Sequence, residues 1–438
     1  MNLNSVEQPD ESAFLDIPQR MKLRKAYDLY FGHSFPQRNA LTKNRLWNAL
    51  NEDALGKSLG PGKILYVMHL PPPVHGASMM GQYIKDSHLL QTRFDSEYIN
   101  MTAATNLNDI GHVGIRKIVN YGKMLRRIRK SVRNAKPHVI YVTPNSAGMA
   151  FYKDFVTVSL IKYWIRRSSC NTKILVHYHN KGVKDFSKSK VNDWLYRRFF
   201  SGLYVLLLGE TLYDDVKKYV PVSRVGFCGN GIPELTKDED NRVLKCLEEK
   251  QEEITNKPLH ILFLSNMMEE KGVWTLVDAC KILKDKGILF VCTFVGGWKD
   301  ITENDFNQRV SELGLQSELN AVGPRFGEDK EPYWRDADVF VAPSYNECFP
   351  LVLLEAMQHA LPCISTKEGA IPDIIEDGKT GFVICKKDAN VLAEKIQELA
   401  NDKEKRLNMG QNGYWQFKQK YTLQVFEKRL CEVFENLI

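Results

Sequence analysis

The sequence predicts an α/β protein built as two Rossmann-like units in series, each a parallel sheet covered by helices on both faces. Three observations predict it. Short apolar runs alternate with amphipathic stretches from Lys63 onward, the pattern of parallel strands joined by helical crossovers. A charged segment, 234–257, splits that alternation into two series. The length of 438 residues, 43% of them hydrophobic, suffices for two separate cores.

Residues 1–58 read as a polar N-terminal extension, with helical spacing only in patches such as 21–30, closed by the breaker run Gly60-Pro61-Gly62. Residues 59–240 are the first unit, with strands expected at 64–68, 139–142, 174–178, 203–208 and 225–228. Residues 241–257 are a connector within a helix-containing charged stretch. The second unit, 258–410, has strands expected at 260–264, 289–295, 321–322, 339–342, 363–365 and 382–384, with helices at 273–286 and 351–359. From 388 to 438 the pattern is helical, and residues 411–438 are expected to pack back toward the first unit.

Net charge is +7, but its halves differ. Residues 1–240 carry 35 Lys and Arg against 21 Asp and Glu, and residues 241–438 carry 25 against 32. The basic surplus therefore belongs to the first unit, so the two units are expected to meet different partners. Nine scattered cysteines lack the spacing of a zinc site or disulfide framework and point to a reducing cytosol. No run approaches the about 20 apolar residues of a membrane span, and the polar, acid-containing N-terminus lacks the shape of a signal peptide.

Ligands of open α/β sheets sit beyond the carboxyl ends of the strands. In the second unit that position holds Ala342-Pro343-Ser344-Tyr345-Asn346-Glu347-Cys348-Phe349-Pro350-Leu351-Val352-Leu353-Leu354-Glu355-Ala356-Met357. Pro350 suits a helix start. The N–H groups of Leu351 and Val352 would then point outward as an anion site for a diphosphate. Glu355, just over one turn on, is placed to accept hydrogen bonds from a ribose diol. Considered alone, Glu347 and Glu355 are equally compatible with a solvated loop acid and a surface helix acid.

The pair of glutamates seven residues apart in Glu-Cys-Phe-Pro-Leu-Val-Leu-Leu-Glu-Ala-Met closely resembles the signature of the retaining GT-B glycosyltransferases of family 4, and the likeness continues through Leu361-Pro362, 369–375 and 377–382. It covers most of 258–400 strongly and 63–235 more loosely. The resemblance implies a GT-B fold, two Rossmann-like domains facing each other across a donor cleft. It implies that Glu355 holds the ribose, that Glu347 lies beside the donor sugar, and that the stretch between them, including Phe349, Leu351 and Val352, binds the donor. In the loop 263–272 it implies Lys271 as a cation for the diphosphate, with Asn266 where the family usually has arginine. A neutral amide still donates to phosphate oxygen but lacks the charged bidentate fork. Gly76 matches a family glycine that permits close approach of the donor, although His75 stands where a second glycine is usual. Of the alternating His177 and His179, the latter matches the histidine beside the donor sugar. Arg325 stands in the loop that usually seats the base, where a solvated arginine fits equally well.

The expected activity is transfer of a hexosyl group from a nucleotide diphosphate sugar to an acceptor hydroxyl with retention of configuration, in capsular, exopolysaccharide or lipopolysaccharide synthesis. Catalytic roles fall to Glu347, His179 and Lys271. A sugar-nucleotide epimerase of the same architecture, a glycoside hydrolase using Glu347 and Glu355, and a non-catalytic partner protein are the rival readings. Asp336-Ala337-Asp338 fits a helix end better than a metal site, so no metal or other cofactor is expected. Residues 116–136 hold nine basic residues and no acid, with Ile115, Ile118, Leu125, Ile128 and Val132 at helical spacing. This predicts an amphipathic helix whose apolar stripe packs on the core and whose outer surface, with Arg126, Arg127 and Lys130, meets an anionic membrane or the acceptor. Trp194-Leu195-Tyr196-Arg197-Arg198-Phe199-Phe200 mixes aromatics with arginine similarly. The expected place is the cytoplasm, peripheral on the inner face of its membrane. Nucleic acid is not expected as a partner.

Overall fold

The structure is a computed structural model that describes residues 62–72, 76–101, 115–252 and 257–438, without the side chains of 115–117. The extension 1–58 and His75 lie outside the described residues. Two six-stranded sheets follow one another. The first contains β1 (Gly62–Met68), β2 (Phe94–Asn100), β3 (Val139–Val142), β4 (Lys173–His177), β5 (Tyr204–Leu207) and β6 (Val225–Phe227), in the order β2-β1-β3-β4-β5-β6. The second contains β7 (Leu259–Leu264), β8 (Phe290–Val295), β9 (Leu319–Ala321), β10 (Val339–Ala342), β11 (Cys363–Thr366) and β12 (Gly381–Ile384), in the order β12-β11-β10-β7-β8-β9. Every pairing is parallel. The protein is thus α/β with two Rossmann-like domains.

Central strands such as β3 and β10 are buried at every position, as expected of strands covered on both faces. Strand β2 departs from the sequence expectation, which placed none there. It is an edge strand, and its exposed positions accept Asp95 and Glu97 in the run FDSEYIN. Strand order reverses between β1 and β3 in the first sheet and between β7 and β10 in the second. Those switch points open the crevices in which such sheets bind ligands.

The chain crosses between the sheets twice, side by side. At the first crossing Ile232 donates its N–H to Tyr421 O (3.0 Å), and at the second Leu423 donates to Ile232 O (2.7 Å). A Cβ on Gly231 would lie 2.4 Å from Thr422 O, so only glycine fits this close pass. These contacts move the expected boundaries. Helix Lys237–Glu252 lies on the second domain, with Lys250 paired to Asp338 and Tyr414 bonded to Asp240. Position 410 falls inside the single helix Lys403–Lys420, and the return begins at Tyr421. The last helix, Leu423–Leu437, lies on the first sheet, where Phe434 meets Tyr66, Phe94 and Tyr141 edge-on and Glu435 pairs with Arg93 at 2.6 Å. Among the described residues no helix is long and apolar enough to cross a membrane, and all nine cysteines are free.

Candidate functional site

The crevice of the second sheet is formed by the loops after β7 and β10, which hold the residues singled out in the sequence. Gly272 makes their approach possible. Its φ of +79° is left-handed, and a Cβ there would lie 2.1 Å from Pro343 O. The loops are then stitched: Tyr345 N–H donates to Glu270 O (2.7 Å), and Asn346 Nδ2 donates to Glu270 Oε2 (3.2 Å). Lys271 Nζ meets Glu347 Oε1 at 2.5 Å, both side chains less than one-fifth exposed. Asn266 is exposed beside Gly297, and Gly296 lets the β8 loop lie against Ser265.

Helix Leu351–Gln358 starts after Pro350, so the first N–H groups, of Leu351 and Val352, have no intrahelical acceptor. Glu355 pairs with Lys330, a residue the sequence reading did not select. From the first domain, Tyr83 faces this carboxylate: burial raises its phenol above the usual value, and the charge of Glu355 adds to the effect. The ring of Phe349 does not open onto the crevice. It is buried against Gly229 and Tyr421, which leaves its backbone as the part able to face a donor. Arg325 folds back on its own loop, donating to Pro324 O at 2.9 Å. Asp338 accepts from His260 N–H (3.0 Å).

The first domain brings its loops to the same place. His177 is fully buried, and its Nδ1 lies 2.6 Å from the Tyr141 hydroxyl. Burial holds its imidazole well below the ordinary histidine range, with the neighbouring His179 adding to the effect. The His179 ring, 4.3 Å away, is half-buried at the end of the strand. The loop that follows is fastened by Asp215, which accepts from the backbone N–H groups of Gly182 (2.9 Å), Val183 (3.1 Å) and Lys184 (2.8 Å). Lys181 then reaches across to Glu368 of the second domain, which Lys386 also contacts at 2.6 Å. Burial, then the neighbouring Lys386, pushes the Lys181 ammonium below its usual range. Next to Glu368, Gly369 (φ +53°) lies so close to the Glu347 carbonyl that a Cβ would stand 2.3 Å from it. His179 and Glu347 thus belong to facing loops linked through Lys181, Glu368 and Gly369.

Thr211 adds a further cross-link, donating to Gly369 O at 2.8 Å. One apolar cluster runs behind it from Leu208, Leu212 and Val216 to Phe349, Ile371 and Ile374. Gly76 opens helix Gly76–Asp86, and beyond its chain neighbours no atom of the described residues lies within 4 Å of where its Cβ would be. Among the described residues no neighbouring group demands glycine there.

Comparison with known proteins matches the fold. The fold aligns with sucrose-phosphate synthase from Thermosynechococcus elongatus (TM-score 0.62, 16% identity, covering 86% of this chain and 99% of that one). It aligns equally with Anabaena HepE in complex with UDP (TM-score 0.62, 14% identity, 85% and 99%). The arrangement is GT-B. Residues 246–416 match the family described as glycosyl transferases group 1, a span that includes the loops of Lys271, Glu347 and Glu355. In sequence the chain is 29% identical over 230 residues to a capsular polysaccharide biosynthesis glycosyltransferase, CapM, of Staphylococcus aureus, covering 52% of this chain and 59% of that protein. It is 27% identical over 194 residues to the amylovoran biosynthesis glycosyltransferase AmsK of Erwinia amylovora, covering 43% and 47%. The matches therefore span about half the length of these relatives.

Proposed function

We propose that this chain is a retaining glycosyltransferase that moves a hexosyl group from a nucleotide diphosphate sugar to an acceptor hydroxyl of an extracellular or envelope polysaccharide, working on the cytoplasmic side. The observation that carries the proposal is the second sheet's switch point, where Lys271, Glu347, the Leu351 helix start and Glu355 line one crevice within the segment matching glycosyl transferases group 1. Of the two named relatives, one is a glycosyltransferase of capsular polysaccharide biosynthesis and the other of amylovoran biosynthesis. HepE, of the same fold, has been observed with UDP and with UDP and glucose.

In this mechanism Glu355 accepts from the ribose hydroxyls, taking them in exchange for Lys330. The N–H groups of Leu351 and Val352, with Asn266, hold the diphosphate, and Arg325 swings from Pro324 to stack on the base. Lys271 turns from Glu347 toward the phosphate as the bond between the sugar's anomeric carbon and phosphate oxygen breaks, placing positive charge where negative charge develops. Glu347 and His179 orient the sugar. The acceptor oxygen bonds to the anomeric carbon on the face the diphosphate leaves, and its proton passes to a diphosphate oxygen. Lysine and helix dipole supply the stabilisation, so no metal is required.

The test is turnover with a panel of nucleotide sugars. Glu347→Ala should lower kcat with little change in donor KM, and Glu355→Ala should raise donor KM. Wild-type constants in both variants would reject the assignment, as would sugar release or epimerisation at the wild-type rate without acceptor.

A further inference from the structure

The basic helix, which the transfer chemistry leaves unused, is one third of a larger surface. Helix Gly148–Arg167 lies between helices Ile115–Asn134 and Lys190–Phe200. Tyr121 Oη meets Thr157 (2.9 Å) on one flank. On the other, Tyr152 Oη meets Asn192 (3.0 Å), and Lys162 Nζ donates to the carbonyl of Arg198 (3.0 Å). Of the thirteen exposed large apolar side chains among the described residues, seven lie on these three helices. Met149, Val156 and Tyr163 recur every seven residues and so form one outward stripe along the central helix. Ile118 and Val119 stand on one neighbour, and Val191 and Trp194 on the other.

Here the structure corrects the sequence expectation. Ile118 is 62% exposed rather than packed on the core; among the described side chains of its helix the core contacts run from Tyr121 through Met124, Leu125, Ile128 and Val132. Met149 is 82% exposed. Such side chains are unfavourable in water when they cluster.

The charge around them has one sign. Arg126, Arg127, Arg129, Lys130 and Arg133 are exposed on the first helix. Arg167 donates to the Tyr163 hydroxyl (3.1 Å) at the end of the central stripe. On the third helix the Arg198 guanidinium lies over the Trp194 ring at 4.9 Å. The acids of these helices are taken: Asp154 is buried and binds Asn145, and Asp193 pairs with Arg197 and Lys218. Exposed apolar residues with cations beside them match the boundary of an anionic bilayer, where apolar groups enter and cations stay at the headgroups. The stripe begins at the rim of the crevice, since the Ser146 N–H, three residues before Met149, donates to Asn180 Oδ1 (2.8 Å), next to His179.

We propose that this three-helix face docks on an anionic lipid bilayer, inserting Met149, Ile118 and Trp194 while Arg126, Arg127, Lys130 and their neighbours bind the headgroups. Docking so oriented sets the rim of the crevice against the lipid surface. The inference does not depend on the transfer activity, because the experiment uses neither donor nor acceptor.

The full chain is floated with vesicles of phosphatidylglycerol and phosphatidylcholine, and with phosphatidylcholine alone. Binding is expected with the anionic vesicles at low salt and should weaken as salt is raised. Each Lys or Arg near such a surface contributes about fivefold in affinity, so Arg126→Glu with Arg127→Glu and Lys130→Glu should weaken it by about a hundredfold or more. Brominated lipid should quench tryptophan fluorescence in the wild-type protein and markedly less in Trp194→Phe, a readout that does not depend on the charge variant folding. Absence of binding to anionic vesicles, binding insensitive to the charge reversal, or quenching unchanged in Trp194→Phe would overturn the proposal. So would binding to duplex DNA without binding to vesicles.

Discussion

The two sheets have equal strand number and the same parallel pairing, yet they place charge oppositely. The second half of the chain is net negative, but it directs Lys271, Lys330 and a helix start into its crevice. The first half carries the basic surplus and turns much of it outward, on the exposed faces of helices such as Ile115–Asn134. Its crevice loops are tied partly by neutral groups, Ser146 to Asn180 and His69 to Thr143, and partly by Asp215 and by Lys181, whose charge is taken by Glu368. Net charge therefore says little about where a domain binds anions. What decides is which strand ends and helix starts the charged residues occupy.

Removing the crevice cation tests that contrast most severely. Lys271→Ala should lower the transfer rate by about a hundredfold to a thousandfold, the range found when a donor is removed from a developing anion. Lys281→Ala, a surface lysine paired with Asp285, should change it less than about twofold. A similar loss in both variants would mean that overall charge, and not position, matters.

The glycines of the two crevices should respond differently. Gly272→Ala combines a left-handed φ with a Cβ 2.1 Å from Pro343 O, so urea unfolding should show a loss of about 2–4 kcal/mol. Gly76→Ala meets no atom of the described residues beyond its chain neighbours and should stay within about 1 kcal/mol of wild type while weakening donor binding. Equal stability losses would place Gly76 in the architecture and not in the site.

Acidification should act through the first domain. His177 is neutral in the folded protein because burial depresses its imidazole, whereas the unfolded chain takes up a proton near pH 6.5. The unfolded state then binds more protons, so stability falls as pH drops through and below that value. Relative to its own value at pH 7.5, His177→Gln should lose less melting temperature by pH 5.5 than the wild type does. A parallel decline would remove His177 as a source of the pH dependence. The smallest effect expected is that of chelation: EDTA should leave the transfer rate unchanged, and a loss restored by magnesium or manganese would contradict the metal-free mechanism.

Legibility in the sequence followed burial and locality. Strands β3 and β10 matched their apolar runs because covered parallel strands are apolar throughout, whereas β2 was hidden by the acids an edge strand tolerates. Glu347 and Glu355 could be singled out together in the sequence because one loop and the helix that follows it hold both. Lys330, Tyr83 and the Lys181–Glu368–Lys386 cluster were not, because each depends on a partner brought close only by the tertiary fold. Lys181 and Glu368 come from different sheets. The exposed Ile118 shows the complementary limit: helical spacing identifies a face but not how far along the helix the core extends.

The central claim, that the second domain holds a nucleotide diphosphate through Glu355 and Lys271, is tested most directly by calorimetric titration of the full chain with UDP, GDP, ADP and dTDP. One of them should bind clearly more tightly than the rest. Glu355→Ala should weaken that binding by about tenfold to a hundredfold, as expected for hydrogen bonds to a charged acceptor. Absence of binding by all four nucleotides, or affinity unchanged in Glu355→Ala, would contradict the account.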